Sequence, residues 1–423
     1  MILTYRILTI FLYPFLILFT YFRKFSKKED PIRFKEKIFI SHFKPSEKGK
    51  SKLIWFHAAS IGEFKSIIPI IEHLNINYNN LKFLITTTTV SSGNLLKIEL
   101  NKISNTEHRY FPFDVSFLMD KFISIWKPDR IFLVDSEIWP NLILSAKKNK
   151  IPIALINARL TTRSFNKWMF FPGIAKKIFK IFNLCLCSNS KTKRKLEKLD
   201  LNNVYYEGNI KLIENINEKN IKNINDQILL NRRFWFAAST HKEENTFCIN
   251  THVKIKEKFK DILTIIAPRH IERVKELERL CKKNNLKVQI LNENETILEN
   301  KEIIIINYFG ALKNFFKNAK SVFIGKSMIK KFLHNGGQNP IEAAKLGCKI
   351  YHGPHIYNFE EIYNILNEYE ISKKIENHTE LCDRLIVDLE NPKKENNKIS
   401  NSIKDLELKT LNSTMRIVEN FIK

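Results

Sequence analysis

The sequence predicts an α/β protein with two doubly wound, parallel sheets in series. Short apolar runs alternate with helical patterns along most of the chain, a rhythm that is typical of strand–helix–strand units. The rhythm is interrupted at residues 214–231, which are rich in asparagine and charge and lack a strand pattern. At 423 residues the chain is also too long for one ordinary core. We therefore expect two domains, residues 25–213 and 232–423, joined by a linker at 214–231.

Each predicted domain has its own set of strands. Before the linker they are Leu53–Phe56, Phe83–Thr86, Ile131–Val134, Ile153–Ile156 and Leu184–Cys187. After it they are Phe234–Ala238, Ile262–Ala267, Val288–Leu291, Ile303–Ile306, Val322–Ile324 and Lys349–Tyr351. Ligands of open parallel sheets bind beyond the carboxyl ends of the strands, so we expect both sheets to present that edge to a common cleft.

An apolar segment, residues 7–22, precedes the first domain and contains no charged residue. It is shorter than the roughly 20 residues of a perpendicular membrane span. No small-residue cleavage site follows, which argues against a removed signal peptide. Arg23, Lys24, Lys27 and Lys28 follow it and favour a cytoplasmic location for the rest of the chain. We expect residues 1–24 to be a membrane anchor that either spans or half-inserts.

The charge balance gives only a weak indication of function. The chain has 70 Lys and Arg against 44 Asp and Glu, a formal net charge of +26. Such an excess favours nucleic acid, anionic lipid or phosphorylated substrates. Because Lys, Ile and Asn are all abundant, compositional drift of the genome explains it equally well. No basic strand interleaved with aromatic residues is present, so we expect no nucleic-acid partner.

Cysteine usage indicates a reducing compartment. The six cysteines show no C-x-x-C spacing and mostly lie in apolar runs. We therefore expect buried free thiols, without a disulfide framework or a zinc site.

The stretch 321–360 combines several features of a phosphate site. A strand ends at Gly325, and Gly336-Gly337-Gln338 leads to Asn339 and Pro340, which suit the N-cap and first position of a helix. Glycines let backbone amides approach an anion, and Glu342 could accept hydrogen bonds from ribose hydroxyls. An ordinary strand-to-helix turn is the alternative. The longer run through Gly353-Pro354-His355 favours the site.

Three ionisable residues follow predicted strands of the first domain. Glu63 lies in Ser60-x-x-Glu63, whose spacing alone favours a capping box over a general base. Glu137 precedes Pro140, which we expect to begin the next helix and leave Glu137 in the turn. Lys211 lies in Gly208-Asn209-Ile210-Lys211, where a surface lysine is the simpler interpretation.

Two further stretches of the second domain follow strands. Thr240-x-x-Glu243 predicts a capping box that opens a helix. Pro268 and Arg269 lie beyond another strand, and Arg269 could pair bidentately with a phosphate or carboxylate. His270 suits a core, surface or ligand role equally, and its role stays open.

Successive segments of the chain carry a family resemblance. They are WFHAASIGE, ITTTTVSSG, RYFPFD, DSEIWPN, NARLTTRS, GNIK, AASTH, APRHIER and GGQNPIEAA…GPHIYNF. In this order, over about residues 1–366, they resemble the 3-deoxy-D-manno-octulosonic acid (Kdo) transferases of lipid A biosynthesis. The resemblance implies a GT-B fold, two Rossmann-like domains facing a central cleft. It also implies inverting transfer of Kdo from CMP-Kdo to a lipid A precursor at the cytoplasmic face of the bacterial inner membrane, without a metal or other cofactor.

The resemblance also implies site residues. Glu63 resembles the family's general base, and Glu137 and Lys211 resemble its transition-state stabilisers. The segments that resemble its CMP-binding segments contain Pro268, Arg269, Phe309, Gly310, Ala311, Asn339, Pro340, Ile341 and Glu342. The chain departs from the family where Ala311 replaces a common glutamate, Lys326 a common glycine and Gln338 a common histidine. These departures affect the nucleotide contacts and leave the reaction class unchanged.

Two other functions remain as alternatives at this point. A GT-B transferase for another nucleotide sugar would share the second domain but not the set Glu63, Glu137 and Lys211. A non-catalytic basic protein that binds membranes or RNA would need only the positive charge and the apolar segment.

Overall fold

A computed structural model describes residues 2–46, 51–99, 103, 105–214, 216, 218, 221–333, 336–391 and 397–423. The chain forms two compact units. The first contains residues 1–214 together with 407–423, and the second contains residues 215–406. The end of the predicted linker is the helix Asp226–Asn231 of the second unit. Residues 215, 217, 219 and 220 of that linker lie outside the described residues.

The first unit is built on a parallel sheet of seven strands in the order β3-β2-β1-β4-β5-β6-β7. The strands are β1 Lys52–His57, β2 Leu81–Thr87, β3 Thr106–Tyr110, β4 Arg130–Val134, β5 Ile153–Ala158, β6 Leu184–Cys187 and β7 Val204–Tyr205. Its helices are α1 Ile2–Phe25, α2 Ile61–Asn77, α3 Val90–Glu99, α4 Ser116–Trp126, α5 Pro140–Lys148, α6 Thr162–Met169, α7 Pro172–Phe179 and α8 Ser190–Glu197.

Both faces of this sheet are buried, which explains why its central strands are apolar at nearly every position. Alternate side chains of β1 enter opposite cores, with Trp55 on one face and Ile54 and Phe56 on the other. Both cores are rich in branched and aromatic side chains. Because β1 and β4 are parallel neighbours, the polar residues that follow them lie at the same edge of the sheet.

The second unit repeats this plan with the strand order β10-β11-β9-β8-β12-β13-β14, again all parallel. The strands are β8 Phe234–Thr240, β9 Leu263–Pro268, β10 Val288–Leu291, β11 Ile303–Ile306, β12 Ser321–Ile324, β13 Lys349–His352 and β14 Ser372–Lys374. Its helices are α9 Asp226–Asn231, α10 Lys242–Lys258, α11 Val274–Lys283, α12 Leu312–Phe316, α13 Ile341–Lys345, α14 Glu360–Glu368 and α15 His378–Glu390. The predicted fold class, two parallel α/β sheets in series, is confirmed.

The carboxyl-terminal helix corrects one predicted boundary. Helix α16, Asn397–Ile422, ends in the first unit, although the sequence assigned all of residues 232–423 to the second domain. Met415, Val418 and Ile422 are buried in the core beneath the first sheet, and Arg130 Nε donates to the carbonyl oxygen of Phe421. The periodicity of an amphipathic helix does not reveal which core receives it, so this return to the first unit was not predictable from the sequence.

The six cysteines are all free and buried, as predicted. Burial raises the pKa of the Cys185 and Cys248 thiols, which keeps both protonated at neutral pH.

Candidate active site

Glu63 lies on the first turn of α2, directly beyond β1, and its carboxylate is held by two hydrogen bonds. The backbone amide of Ala59 donates to Oε2 (2.7 Å), and Ser60 Oγ donates to Oε1 (2.9 Å). In return, the Glu63 amide donates to Ser60 Oγ (3.3 Å), so the helix cap predicted from the spacing is present. The reciprocal amide bond comes from Ala59, one residue before the N-cap. Capping therefore fixes the rotamer of Glu63.

The surroundings of Glu63 favour its protonated form despite these bonds. Burial, followed by the charge of Glu137 and then that of Asp135, raises the pKa of Glu63 to about 7. The bonds from Ser60 and Ala59 oppose the rise without cancelling it. A helix cap needs no such pKa, whereas a proton acceptor works best when its pKa lies near the working pH. The cap is thus present, and the raised pKa is compatible with the general base that the sequence left open.

Glu137 lies in the turn between β4 and α5, and α5 begins at Pro140 as predicted. Trp139 Nε1 donates to Glu137 Oε2 (2.8 Å). His57 Nε2 lies 3.4 Å from the same oxygen, outside hydrogen-bonding geometry. His57 is fully buried, stacks on Phe111 with a centroid distance of 3.8 Å, and places Nδ1 3.0 Å from Thr86 Oγ1. The ring is therefore fixed with Nε2 facing Glu137.

Lys211 is not a free surface lysine. Its Nζ lies 2.8 Å from Oδ2 of Asp135, and the two side chains are 21% and 10% exposed. Asp135 follows β4 directly and adopts φ +62°, a left-handed conformation that few residue types other than glycine and asparagine favour. Asn209 Oδ1 accepts from the Lys211 amide (3.0 Å) and opens the short 3₁₀ turn Ile210–Ile213 that carries the lysine. Asp135 was not predicted to be a site residue, although it directly follows the predicted strand Ile131–Val134.

One edge of the first sheet thus assembles a connected polar group. Glu63, Asp135, Glu137 and Lys211, together with the buried His57, come from the ends of β1 and β4 and from the turn after β7. Three carboxylates share this region with one paired lysine. Burial of Glu63, followed by the charges of Glu137 and Asp135, explains why this carboxyl holds a proton near neutral pH.

In the second unit, the loop after β12 is organised by a residue that the sequence did not single out. The buried carboxylate of Glu244 accepts four backbone N–H groups. The donors are His241 (2.9 Å) and Lys326 (2.7 Å) to Oε2, and Ser327 (2.9 Å) and Met328 (3.0 Å) to Oε1. The amides that follow Gly325 are therefore satisfied within the protein. They hold the loop in shape and are not available to a phosphate.

Gly325 is required by this packing. A Cβ atom there would lie 2.6 Å from the carbonyl oxygen of Ser239 and 2.8 Å from Glu244 Oε2. The predicted capping box at Thr240 and Glu243 is wrong by one residue. Helix α10 begins at Lys242 with His241 as its N-cap, so Glu244, not Glu243, reaches back to the loop.

The segments predicted to bind CMP lie around the carboxyl edge of the second sheet. Arg269 follows β9; its side chain is exposed, and its amide donates to the carbonyl oxygen of Thr240 (2.9 Å). Helix α13 begins at Ile341, one residue later than predicted, and Asn339 Oδ1 accepts from the Ile341 amide (3.1 Å). Glu342 pairs with Lys313 at 3.2 Å. The N-cap position predicted for Asn339 is wrong by one residue: Pro340 occupies it, and Asn339 bonds the first helical amide from just before the cap.

The remaining predicted segment contains Phe309, Gly310 and Ala311. Phe309 is 73% exposed, Gly310 adopts φ +85°, and Ala311 is buried. An exposed aromatic ring beside a glycine turn suits stacking on a base or ribose. Alanine has no carboxylate, so the glutamate that is common in the resembled family has no counterpart at Ala311.

A family model, described as 3-deoxy-D-manno-octulosonic-acid transferase (kdotransferase), matches residues 33–213. A probable mitochondrial 3-deoxy-D-manno-octulosonic acid transferase of Arabidopsis thaliana is 30% identical over 77% of this chain and 75% of its own length. The 3-deoxy-D-manno-octulosonic acid transferase of Rickettsia bellii is 28% identical over 99% of both chains. The chain belongs to the Kdo transferase family. The predicted family is confirmed.

The fold has a counterpart among solved structures. A UDP-N-acetylglucosamine 2-epimerase of Listeria monocytogenes matches 88% of this chain and 97% of its own, with a TM-score of 0.60 and 14% identity. At that identity the likeness concerns the fold alone, which is of the GT-B type.

Proposed function

We propose that this Kdo transferase moves Kdo from CMP-Kdo to a hydroxyl of a lipid A precursor in lipopolysaccharide core biosynthesis. Membership of the family supports the reaction class. The observation that carries the mechanism is the pKa of about 7 of Glu63, held by its cap beside Glu137 and Asp135. Half of such a carboxyl is ionised near neutral pH, so it can accept a proton from the acceptor.

In this mechanism the Glu63 carboxylate removes the proton of the acceptor hydroxyl. The hydroxyl oxygen attacks the anomeric carbon of Kdo from the face opposite CMP. The bond between that carbon and the phosphate oxygen breaks, and CMP leaves with the electron pair. Lys211, held by Asp135, and Glu137, held by Trp139, are the groups proposed to stabilise the transition state.

The second unit is proposed to bind the donor. Arg269 is exposed beyond β9 and carries the fixed charge that suits a phosphate or a sugar carboxylate. Glu342, on the first turn of α13, is placed to accept from ribose hydroxyls, and Phe309 supplies an apolar face. The loop after β12 is proposed to shape the donor site without donating to the phosphate, because its amides already donate to Glu244.

We also propose that α1 attaches the protein to the cytoplasmic face of the bacterial inner membrane. By length and composition α1 is long and apolar enough to cross a membrane, and it lies near the amino terminus. Attachment places the enzyme beside an acceptor whose acyl chains lie in the bilayer.

Mass spectrometry of the reaction of CMP-Kdo with a tetraacylated lipid A precursor tests the proposal. We expect the acceptor mass to rise by one or more Kdo units as CMP is released. Parallel reactions with UDP-sugars test the other nucleotide-sugar class, and transfer from them alone would overturn the donor assignment. Binding of lipid or RNA without CMP release would overturn the assignment as an enzyme.

A further inference from the structure

One face of α1 is attached to the first unit by polar contacts. Tyr5, Thr9 and Tyr13 recur every four residues and therefore share a helix face. Their bonds are Tyr5 OH to Asp114 Oδ2 (2.9 Å), Asn141 Nδ2 to Thr9 Oγ1 (3.2 Å) and Tyr13 OH to the carbonyl oxygen of Ile38 (2.5 Å). The Tyr13 ring also meets Phe117 edge-on at 5.0 Å. These contacts bind about three turns of α1 to the unit that contains Glu63.

The opposite face of α1 is apolar, and its side chains make no such polar contacts among the residues that the structure describes. Its large side chains are between 45% and 73% exposed. They are Leu3, Ile7, Phe11, Phe15, Leu18 and Phe22. Singly exposed apolar residues are ordinary, but a continuous stripe along six turns of helix marks an interaction surface.

A perpendicular span is difficult to reconcile with this arrangement. The uncharged part of α1, residues 7–22, is about 24 Å long at 1.5 Å per residue, against about 30 Å for the hydrocarbon core. A longer span would take in Arg6, whose Nη2 lies 3.9 Å from Asp120 Oδ2. It would also strip the bonded hydroxyls of Tyr5 and Tyr13 from their partners and place them in hydrocarbon, which is costly.

We propose that α1 is a monotopic helix whose docked face stays on the first unit while its exposed apolar stripe enters one leaflet of an anionic bilayer. This inference rests on the membrane attachment proposed above. The exposed Lys27 and Lys28, just beyond α1, suit anionic head groups. At the other end, Ile2 shares a hollow of about 450 Å³ with Phe170 and Phe171, which are 77% and 52% exposed and extend the apolar surface.

Site-specific cross-linking distinguishes a docked helix from a spanning one. All six native cysteines are buried, so Arg6→Cys with Asp120→Cys introduces the accessible thiols. The full-length double variant is expressed in a bacterial inner membrane and treated with a short thiol-to-thiol reagent. We expect the intramolecular cross-link to form as efficiently in membranes as in detergent. We also expect the cross-linked protein to stay with the membrane after a high-salt wash.

The control pair is Phe11→Cys with Asp120→Cys, because Phe11 lies on the exposed stripe and is 73% exposed. We expect little cross-linking of this pair. Cross-linking of the Arg6 pair in detergent but not in membranes would overturn the proposal, because it would show that the helix undocks to span. Absence of the cross-link in both, with both thiols labelled after denaturation, would overturn the docking itself. A cross-linked protein that salt releases from membranes would overturn membrane attachment and leave the docking intact.

Discussion

Lys211 Nζ lies 2.8 Å from Asp135 Oδ2, joining the turn after β7 to the end of β4. The resemblance to Kdo transferases assigned a role to Lys211, but its partner was not predicted. Removal of one member of a largely buried pair costs more than the pair contributes, because it leaves a charge without compensation. Asp135 therefore holds the ammonium group of Lys211 in position, and the coupling energy between the two side chains can be measured.

We expect Lys211→Met to lower the free energy of unfolding by about 1–3 kcal/mol, since Asp135 is then left buried without its partner. Asp135→Asn tolerates the positive φ and removes the charge, so the double variant should recover part of the loss. Urea unfolding of the two single variants and the double variant measures the coupling. Lys176→Met is the control. It breaks the exposed pair with Asp200 and should leave the free energy of unfolding nearly unchanged. Strictly additive losses would show that Lys211 and Asp135 do not interact.

Glu244 should be essential to the second unit, which is proposed to bind the donor, without contacting the donor itself. In wild type, backbone N–H groups donate to both oxygens of the Glu244 carboxylate. Glu244→Gln replaces one of these oxygens with an NH₂ group, which cannot accept from them. Each buried donor left unsatisfied costs about 1–3 kcal/mol. We expect a lower melting temperature and weaker CMP binding by calorimetry. Glu243→Gln is the matched control, because Glu243 occupies the preceding position of α10 and is exposed. Equal behaviour of the two variants would contradict the role given to Glu244.

Arg269→Ala should weaken CMP-Kdo binding by about 1.5–3 kcal/mol, the usual contribution of a hydrogen bond to a charged group. The side chain is exposed and the bond to Thr240 comes from the backbone, so stability should be unchanged. Arg273→Ala removes an exposed arginine of the same segment and serves as the control. If calorimetry gives the same donor affinity for wild type and Arg269→Ala, Arg269 does not bind the donor.

The sequence predicted the central strands well and missed strands at the sheet edges. Strands buried on both faces are continuous apolar runs, and β6 and β11 have the predicted bounds, as does β10 at one edge of the second sheet. The strands β3, β7 and β14 were not predicted. They read TEHRY, VY and SKK, because an edge strand needs fewer apolar residues and β7 is only two residues long.

The sequence predicted where the candidate site residues lie in the fold better than it predicted the side chains that contact them. Glu63, Glu137 and Lys211 follow strands in a parallel sheet, so topology brings them to one edge. The partners Asp135 and His57 depend on side-chain rotamers and register, which a single sequence does not encode in any local pattern. The choice of Glu244 over Glu243 depended on whether α10 begins one residue earlier or later, and helix ends are the least certain feature of a sequence.

The pKa of Glu63 predicts how activity and stability depend on pH. A pKa of about 7 means that the carboxylate becomes abundant only as pH rises through 7, so kcat/KM should rise about tenfold per pH unit well below 7 and level off above it. The folded pKa exceeds the ordinary value of 4.5, so the folded state binds this proton more tightly than the unfolded state does. The resulting stabilisation is complete below about pH 4.5 and is lost as pH rises through 7. Wild type should therefore lose stability relative to Glu63→Gln between pH 5 and pH 8, and parallel curves would contradict the raised pKa.

Glu63→Gln decides whether Glu63 is more than a cap. The Gln carbonyl can accept from the Ala59 amide, and its amide group can donate to Ser60 Oγ, so the start of α2 should persist. Gln cannot accept a proton at neutral pH, so transfer to the lipid acceptor should fall by about 10²–10⁴-fold. CMP-Kdo affinity should hardly change, because the residues assigned to the donor belong to the second unit. The measurements are the melting temperature, donor affinity by calorimetry and transfer rate by mass spectrometry. A variant that is stable and binds donor but does not transfer supports the base, whereas near-normal transfer would reduce Glu63 to a helix cap.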